Sequence, residues 1–128
     1  MYYTRCNNKT SRLSGVAYRT SRDLLHWSKP AMALTLKSST PMFNSGFTES
    51  PFVFKRGGWF YLSVTSYPVA WDATFLYRSR SPVSFKEPPV ARLKAHAAEW
   101  IIDANGEAFM THAGPGEKGV WLYPVSGF

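Results

Sequence analysis

The sequence is poor in cysteine and in long apolar runs, and both shortages exclude classes of protein. Cys6 is the single cysteine among 128 residues, so the chain forms neither an internal disulfide framework nor a zinc cluster. No apolar run approaches the roughly 20 residues needed to span a bilayer, and the N-terminal "MYYTRCNNKTSR" contains no long apolar segment of the signal-peptide kind. We therefore predict no membrane partner, and the compartment stays unassigned.

Acidic residues are also scarce. The chain has 15 Lys and Arg against 8 Asp and Glu, which gives a net charge of +7. A positive excess of this size is compatible with nucleic-acid binding, but the basic residues are scattered along the chain and form no tract. They are also not interleaved with aromatic residues on one face, as a stacking groove for single strands requires. We therefore predict no nucleic-acid partner.

Motifs for cofactors and metals are missing as well. The sequence has no Gly-rich phosphate loop leading into a helix, no metal-spaced Cys/His cluster and no Gly-x-Ser-x-Gly elbow, so we predict no cofactor and no metal ion. Aromatic residues, by contrast, make up 16% of the chain. They are suited to a core, to stacking on bases or to packing on sugar rings, and composition alone does not separate these uses.

Helical periodicity is nearly absent, and strand patterns take its place. The best helical candidate, "SRDLLHW" (21–27), is too short and instead predicts a tight turn in which Asp23 caps local backbone amides. Runs rich in β-branched and aromatic residues, bounded by Gly, Pro, Asn or Ser, predict strands and an all-β fold class. These runs are Val16–Ser21, Pro51–Arg56, Trp59–Thr65, Thr74–Arg80, Glu99–Asp103, Glu107–Ala113 and Gly119–Val125.

Two hairpins in these runs repeat one another. "KRGGW" and "DANGE" predict their turns, because Gly-Gly and Asn-Gly supply the positive φ that two-residue hairpin turns require. Aligning "SPFVFKRGGWFYLSVT" with "AEWIIDANGEAFMTHA" puts Pro51 on Glu99 and Tyr61 on Phe109, and a strand containing Leu-Tyr follows each hairpin. "YYTR" followed by "VAYRTS" is an earlier, incomplete copy. Antiparallel repeats of roughly 45 to 60 residues are typical of propeller blades.

The repeats predict a single, incomplete propeller domain. Residues 1–40 form the tail of one blade, residues 41–90 a second blade and residues 91–128 a third, giving about two complete four-stranded blades plus the tail. Because propellers typically close with about four to eight blades, we expect the chain to be the C-terminal part of a longer propeller or a truncated relative of one.

Four segments carry a family resemblance: "YYTR", "VAYRTSRDLLHW", "TESPFVFKRGGWFYLSVTS" and "HAAEWIIDANGEAFMTHAGPGEKGVWLYPV". In this order they resemble the later blades of five-bladed β-propeller glycoside hydrolases, the clan of families 32, 43, 62 and 68 with its invertase, levanase and arabinanase types. The most specific pieces are the Glu-Ser-Pro that opens a hairpin and the "HAAE…DANG…THAG…GVWLYP" ending. The resemblance implies a partial five-bladed propeller that, when complete, hydrolyses fructose- or arabinose-type furanosides.

Glu49 is the residue that the resemblance makes a candidate catalytic acid. In the clan, the Glu of a Glu-x-Pro motif acts as general acid where an innermost strand enters the central funnel, and Glu49 matches it. Removing a carboxyl group from water favours its protonated form, which is the form a general acid needs. The alternative is a solvated carboxylate at the entry of a strand.

The partner that hydrolysis needs is not evident. Glycoside hydrolysis uses two carboxyl groups, and in the resembling families the nucleophile or base is an Asp of the first blade, a region that we expect to be absent from these 128 residues. Trp71 and Asp72 are candidates for binding substrate, and Asp72 is a candidate for lining the funnel rim. His96 and Glu99, near the start of an innermost strand, are predicted to face the axis. There they bind sugar hydroxyls or tune the acid, or they satisfy each other and the backbone near the closure of the blades.

Two functions therefore stay open. The first is a glycoside hydrolase-like propeller fragment with Glu49 as general acid, which needs the other blades for activity. The second is a non-catalytic carbohydrate-binding or interaction protein. Both predict an oligo- or polysaccharide partner, with the missing blades or self-association completing the ring.

Overall fold

The computed structural model describes residues 1–5, 14–36, 47–67, 73–113 and 118–127. These residues form strands and no helix, so the all-β prediction is confirmed, and among them no helix is long and apolar enough to cross a membrane. The strands are β1 Tyr2–Arg5, β2 Ser14–Tyr18, β3 Ala31–Leu36, β4 Phe47–Arg56, β5 Trp59–Tyr67, β6 Ala73–Ser79, β7 Ala91–Lys94, β8 His96–Ile102, β9 Ala108–Ala113 and β10 Val120–Val125. The short strands β3 and β7 were not predicted from the sequence.

The strands form three antiparallel sheets. The first sheet is β1–β2–β3, the second sheet is β4–β5–β6–β7 and the third sheet is β8–β9–β10. In each sheet the order in space is the order in the chain, so neighbouring strands are joined by hairpin connections. The second sheet lies between the other two, because β4 contacts both β1 and β8.

The second sheet is buried on both faces, which explains its apolar sequence. One face packs on the first sheet through a core that includes Val16, Leu34 and Leu62. The opposite face packs on the third sheet, where the ring of Phe54 stacks on Tyr61 at 5.2 Å and on Trp100 at 4.9 Å between centroids. Since successive strand residues point to opposite faces, one run of apolar residues fills both cores.

A shared bulge confirms the repeat and corrects its alignment. In β4 the pairing shifts between Glu49 and Phe52, and in β8 it shifts between His96 and Glu99. Glu49 therefore corresponds to His96, whereas the sequence alignment placed His96 on Thr48 and was off by one residue. The physical reason is length: the hairpin from His96 to its partner Ala113 is one residue longer than the hairpin from Glu49 to its partner Thr65. The alignment of Tyr61 with Phe109 is consistent with the register of β5 and β9.

The local turns follow their sequence signals, with one difference. Gly57 and Gly58 have φ values of 55° and 76°, as the two-residue turn requires. The "DANGE" segment is instead a wider loop between Ile102 and Ala108, in which the Asp103 carboxylate accepts the Asn105 and Glu107 amides at 2.9 and 2.7 Å. A side chain that binds two backbone amides stabilises the longer loop.

The turn at "SRDLLHW" is confirmed. Asp23 Oδ1 accepts the amides of Leu25 and His26 at 2.9 and 2.8 Å, and Oδ2 lies 2.7 Å from His26 Nδ1. These bonds, led by those from His26, hold the pKa of the Asp23 carboxyl well below its usual range. The segment is therefore an Asp-capped turn, and the predicted strand Val16–Ser21 ends earlier, at Tyr18.

We predict that the fold loses stability at alkaline pH because of Tyr77. Burial, and secondly the charge of Glu87, raises the pKa of Tyr77 from 10.0 to about 12. The folded chain therefore keeps the phenolic proton between these pH values while the unfolded chain releases it, so stability falls as pH rises through this window. The expected loss is about 2 kcal/mol. Urea unfolding at about pH 9 and pH 12 measures it, and a Tyr77→Phe chain with an equal alkaline loss would contradict the assignment.

Candidate active site

Glu49 lies inside a strand and next to a sharp change in its direction. β4 begins at Phe47 and includes Glu49. The sequence pattern had placed the start of this strand at Pro51, after Glu49. Ser50 has a φ of 50°, and Ser50 and Pro51 together oppose one residue of β5. A bulge with a positive φ re-aims the neighbouring side chains, and bulges of this kind are frequent beside active sites.

His96 lies at the corresponding place in the third sheet. Ala97, the residue after it, has a φ of 53°, as Ser50 does after Glu49. The two bulges bring the side chains of Glu49 and His96 together across adjacent first strands, with His96 Nε2 3.3 Å from Glu49 Oε1. The sequence predicted that Glu49 and His96 each lie near the start of an innermost strand. In the structure their side chains lie beside each other.

The side chain of Glu49 is partly buried, and one of its two carboxyl oxygens is fully buried. The side chain is 36% exposed and that of His96 is 20% exposed, yet the Glu49 Oε1 atom itself is buried. Within the described parts of the chain, no donor makes a hydrogen bond of good geometry to this oxygen. A buried oxygen without a hydrogen bond is uncommon in folded proteins and draws attention to a functional site. The contact with His96 Nε2 at 3.3 Å partly offsets the missing hydrogen bond of Glu49 Oε1.

Buried hydroxyl groups fix the strands that carry this pair. Thr48, which is 2% exposed, donates from Oγ1 to the Gly15 carbonyl oxygen at 2.7 Å and so ties β4 to the first sheet. Thr65, the cross-strand partner of Glu49, accepts the Ala97 amide at 2.9 Å and so ties β5 to β8. Sequence reasoning did not single out these residues. A signal was present for β5, because Ser63 and Thr65 alternate with the apolar residues Leu62 and Val64.

The other predicted site residues are placed differently or are not described. Glu99 is exposed and pairs with Thr111 on the face of the third sheet turned away from the second. Its role in binding sugar stays a prediction. Trp71 and Asp72 lie outside the described residues.

The described residues supply a limited set of chemical groups. Within the described ranges, no three His, Cys, Asp or Glu residues are close enough to hold a metal ion. The pair itself offers one carboxyl group and one imidazole, both suited to moving protons at the exposed edge of the site. The common mechanism of glycoside hydrolysis needs a second carboxyl group.

Comparison with known proteins supports the fold. No family model matches the sequence, and no curated protein matches it. A crystal structure of an exo-β-1,3-galactanase from Clostridium thermocellum is similar, with a TM-score of 0.72 and 17% sequence identity over 98% of this chain. The match spans 32% of the galactanase chain, so the present chain corresponds to about a third of that protein. The chain thus has an all-β, propeller-like fold similar to that of this glycoside hydrolase.

Proposed function

We propose that this chain is the part of a glycoside hydrolase propeller that carries the general acid, Glu49. The observation that supports the proposal best is the bulge that turns Glu49 toward His96 at 3.3 Å while leaving the carboxyl group partly exposed. An acid must be held in place and must still reach the glycosidic oxygen of a substrate. The bulge at Ser50 and the 36% exposure of the Glu49 side chain support this role.

The proposed role of His96 is to stabilise Glu49 after the acid has given up its proton. When the carboxyl group gives its proton to the leaving oxygen, it becomes a carboxylate beside the imidazole. Nε2 lies 3.3 Å from Oε1, so the imidazole stabilises that carboxylate by hydrogen bonding when Nε2 carries the hydrogen. The second carboxyl group that hydrolysis needs comes from a further blade, in agreement with the chain matching a third of the galactanase.

The proposed substrates are furanosides of fructose or arabinose, on the basis of the Glu-Ser-Pro and "HAAE" motifs. The similar solved structure is an exo-β-1,3-galactanase, which makes β-1,3-linked galactosides a second class to test. We expect the 128-residue chain alone to hydrolyse none of them. Joined to N-terminal blades that complete the propeller, it is expected to release reducing sugar from one class.

The test compares the completed protein with the isolated chain on arabino-, fructo- and β-1,3-galacto-oligosaccharides. Release of sugar by the completed protein alone supports the proposal. A folded, completed protein that cleaves none of the three classes contradicts it.

A non-catalytic carbohydrate-binding protein is the second candidate, and exposed aromatic residues favour it. Trp121 and Tyr123 are 46% and 39% exposed, and their rings stack at 6.0 Å between centroids. Exposed aromatic rings commonly pack on sugar rings. Saturable quenching of tryptophan fluorescence by an oligosaccharide, lost in Trp121→Ala and without turnover, would favour this function.

A further inference from the structure

The backbone on both sides of His96 is held by buried hydroxyl groups of the second sheet. Thr65 and Thr74 are 2% and 0% exposed. The Ala97 amide donates to Thr65 Oγ1 at 2.9 Å, and Thr74 Oγ1 donates to the Ala95 carbonyl oxygen at 2.9 Å. His96 is the residue between these two attachments, so its backbone is fixed on either side.

The two hydroxyl groups form a chain with a defined direction. Thr65 Oγ1 and Thr74 Oγ1 lie 3.1 Å apart, and either atom can be the donor on distance alone. Each hydroxyl has one hydrogen, and Thr74 uses its hydrogen on the Ala95 carbonyl. Thr65 must therefore donate to Thr74 while it accepts from Ala97. Hydrogen bonds that run in one direction polarise and strengthen one another.

This hydroxyl chain stabilises a backbone conformation that alanine seldom adopts. Ala97 has a φ of 53°, in the left-handed region that favours glycine. Its amide is the group that binds Thr65, and Ser63 Oγ extends the attachment by donating to the Ala98 carbonyl oxygen at 3.2 Å. The bulge at Ala97 in turn aims His96 toward Glu49.

We propose that Thr65 and Thr74, with support from Ser63, are positioning residues that set the His96 ring against Glu49. They touch neither a substrate nor the reacting atoms, and they act through the bulge of β8. The inference rests on the proposed function of Glu49 and His96, but its test does not require that the chain hydrolyse a substrate. Its test therefore reads the contact between His96 and Glu49 directly, and a failure of hydrolysis is distinguishable from a failure of positioning.

The experiment measures NMR resonances of the His96 ring in the full chain at one fixed pH. Glu49→Gln is expected to shift the Hδ2 and Hε1 resonances of His96, because it replaces the carboxyl group whose Oε1 lies 3.3 Å from Nε2 by an amide. In a Thr65→Val background the same substitution should shift them by less than about a third as much, since uncoupled residues no longer report on each other. Thr65→Ser keeps the hydroxyl and should restore the full shift.

A matched control separates positioning from general loss of stability. Thr111→Val removes a threonine hydroxyl from the opposite face of the third sheet and should leave the Glu49→Gln effect on His96 at its full size. An undiminished effect in folded Thr65→Val overturns the proposal, as does a lost effect in Thr111→Val.

A second measurement keeps the proposal testable when Thr65→Val does not fold. The Ala97 amide in the wild-type and Thr65→Ser chains is expected to exchange with solvent at least about tenfold more slowly than an unprotected amide of the same sequence. Exchange of this amide at the unprotected rate, in chains whose β5 amides are protected, would overturn the positioning role.

Discussion

Replacing Glu49 with glutamine in a completed propeller is expected to lower kcat/KM about 10²–10⁴-fold for glycosides with alkyl leaving groups. Glutamine keeps the size of the side chain but has no proton to give to the glycosidic oxygen. Substrates with an activated aryl leaving group should be affected much less, because such a group departs as an anion without protonation. Steady-state kinetics over a series of leaving groups measure this difference.

Glu99 offers the matched control for this substitution. It is a carboxylate three residues after His96, exposed on the face of the third sheet turned away from the second sheet. Glu99→Gln changes the net charge as Glu49→Gln does and should leave the dependence on the leaving group unchanged. If Glu49→Gln slows activated and unactivated substrates equally, Glu49 is not the general acid, and a role in substrate binding replaces it.

Gly15→Ala is expected to destabilise the fold by roughly 3–5 kcal/mol, a large share of the stability of a small domain. Gly15 has a φ of 147°, and a Cβ there would lie 2.1 Å from the Leu34 carbonyl oxygen of the adjacent strand. Backbone cannot move aside as a flexible side chain can. The Gly15 carbonyl oxygen also accepts a hydrogen bond from the Thr48 hydroxyl at 2.7 Å. The backbone strain of the Gly15→Ala variant would therefore lie beside β4, the strand that contains Glu49.

Gly106→Ala is the control, because it has the positive φ without the clash. Gly106 has a φ of 81°, and a Cβ there meets no atom within 4 Å. Its substitution should cost about 1 kcal/mol from the backbone conformation alone. Urea unfolding measures the free energy of unfolding that each variant loses. Equal losses would show that the clash of a Cβ at position 15 with the Leu34 carbonyl oxygen does not contribute.

The sequence alone determined the fold class and two of the three predicted turns. Apolar and aromatic runs separated by turn residues predict strands without long-range information, and the Gly-Gly turn and the Asp23 cap depend on residues adjacent in the chain. The resemblance also singled out Glu49, since the Glu-Ser-Pro segment is visible in the sequence.

Tertiary structure decided how the site is assembled. A single additional residue in the β8–β9 hairpin shifts His96 from the position of Thr48 to that of Glu49. A one-residue shift in a strand turns each side chain to the other face. The hydroxyl of Thr65 acquires its function only because β8 packs on β5, far away in the sequence. Strand pattern thus predicts which residues are buried, while register and packing between sheets decide which buried residues meet.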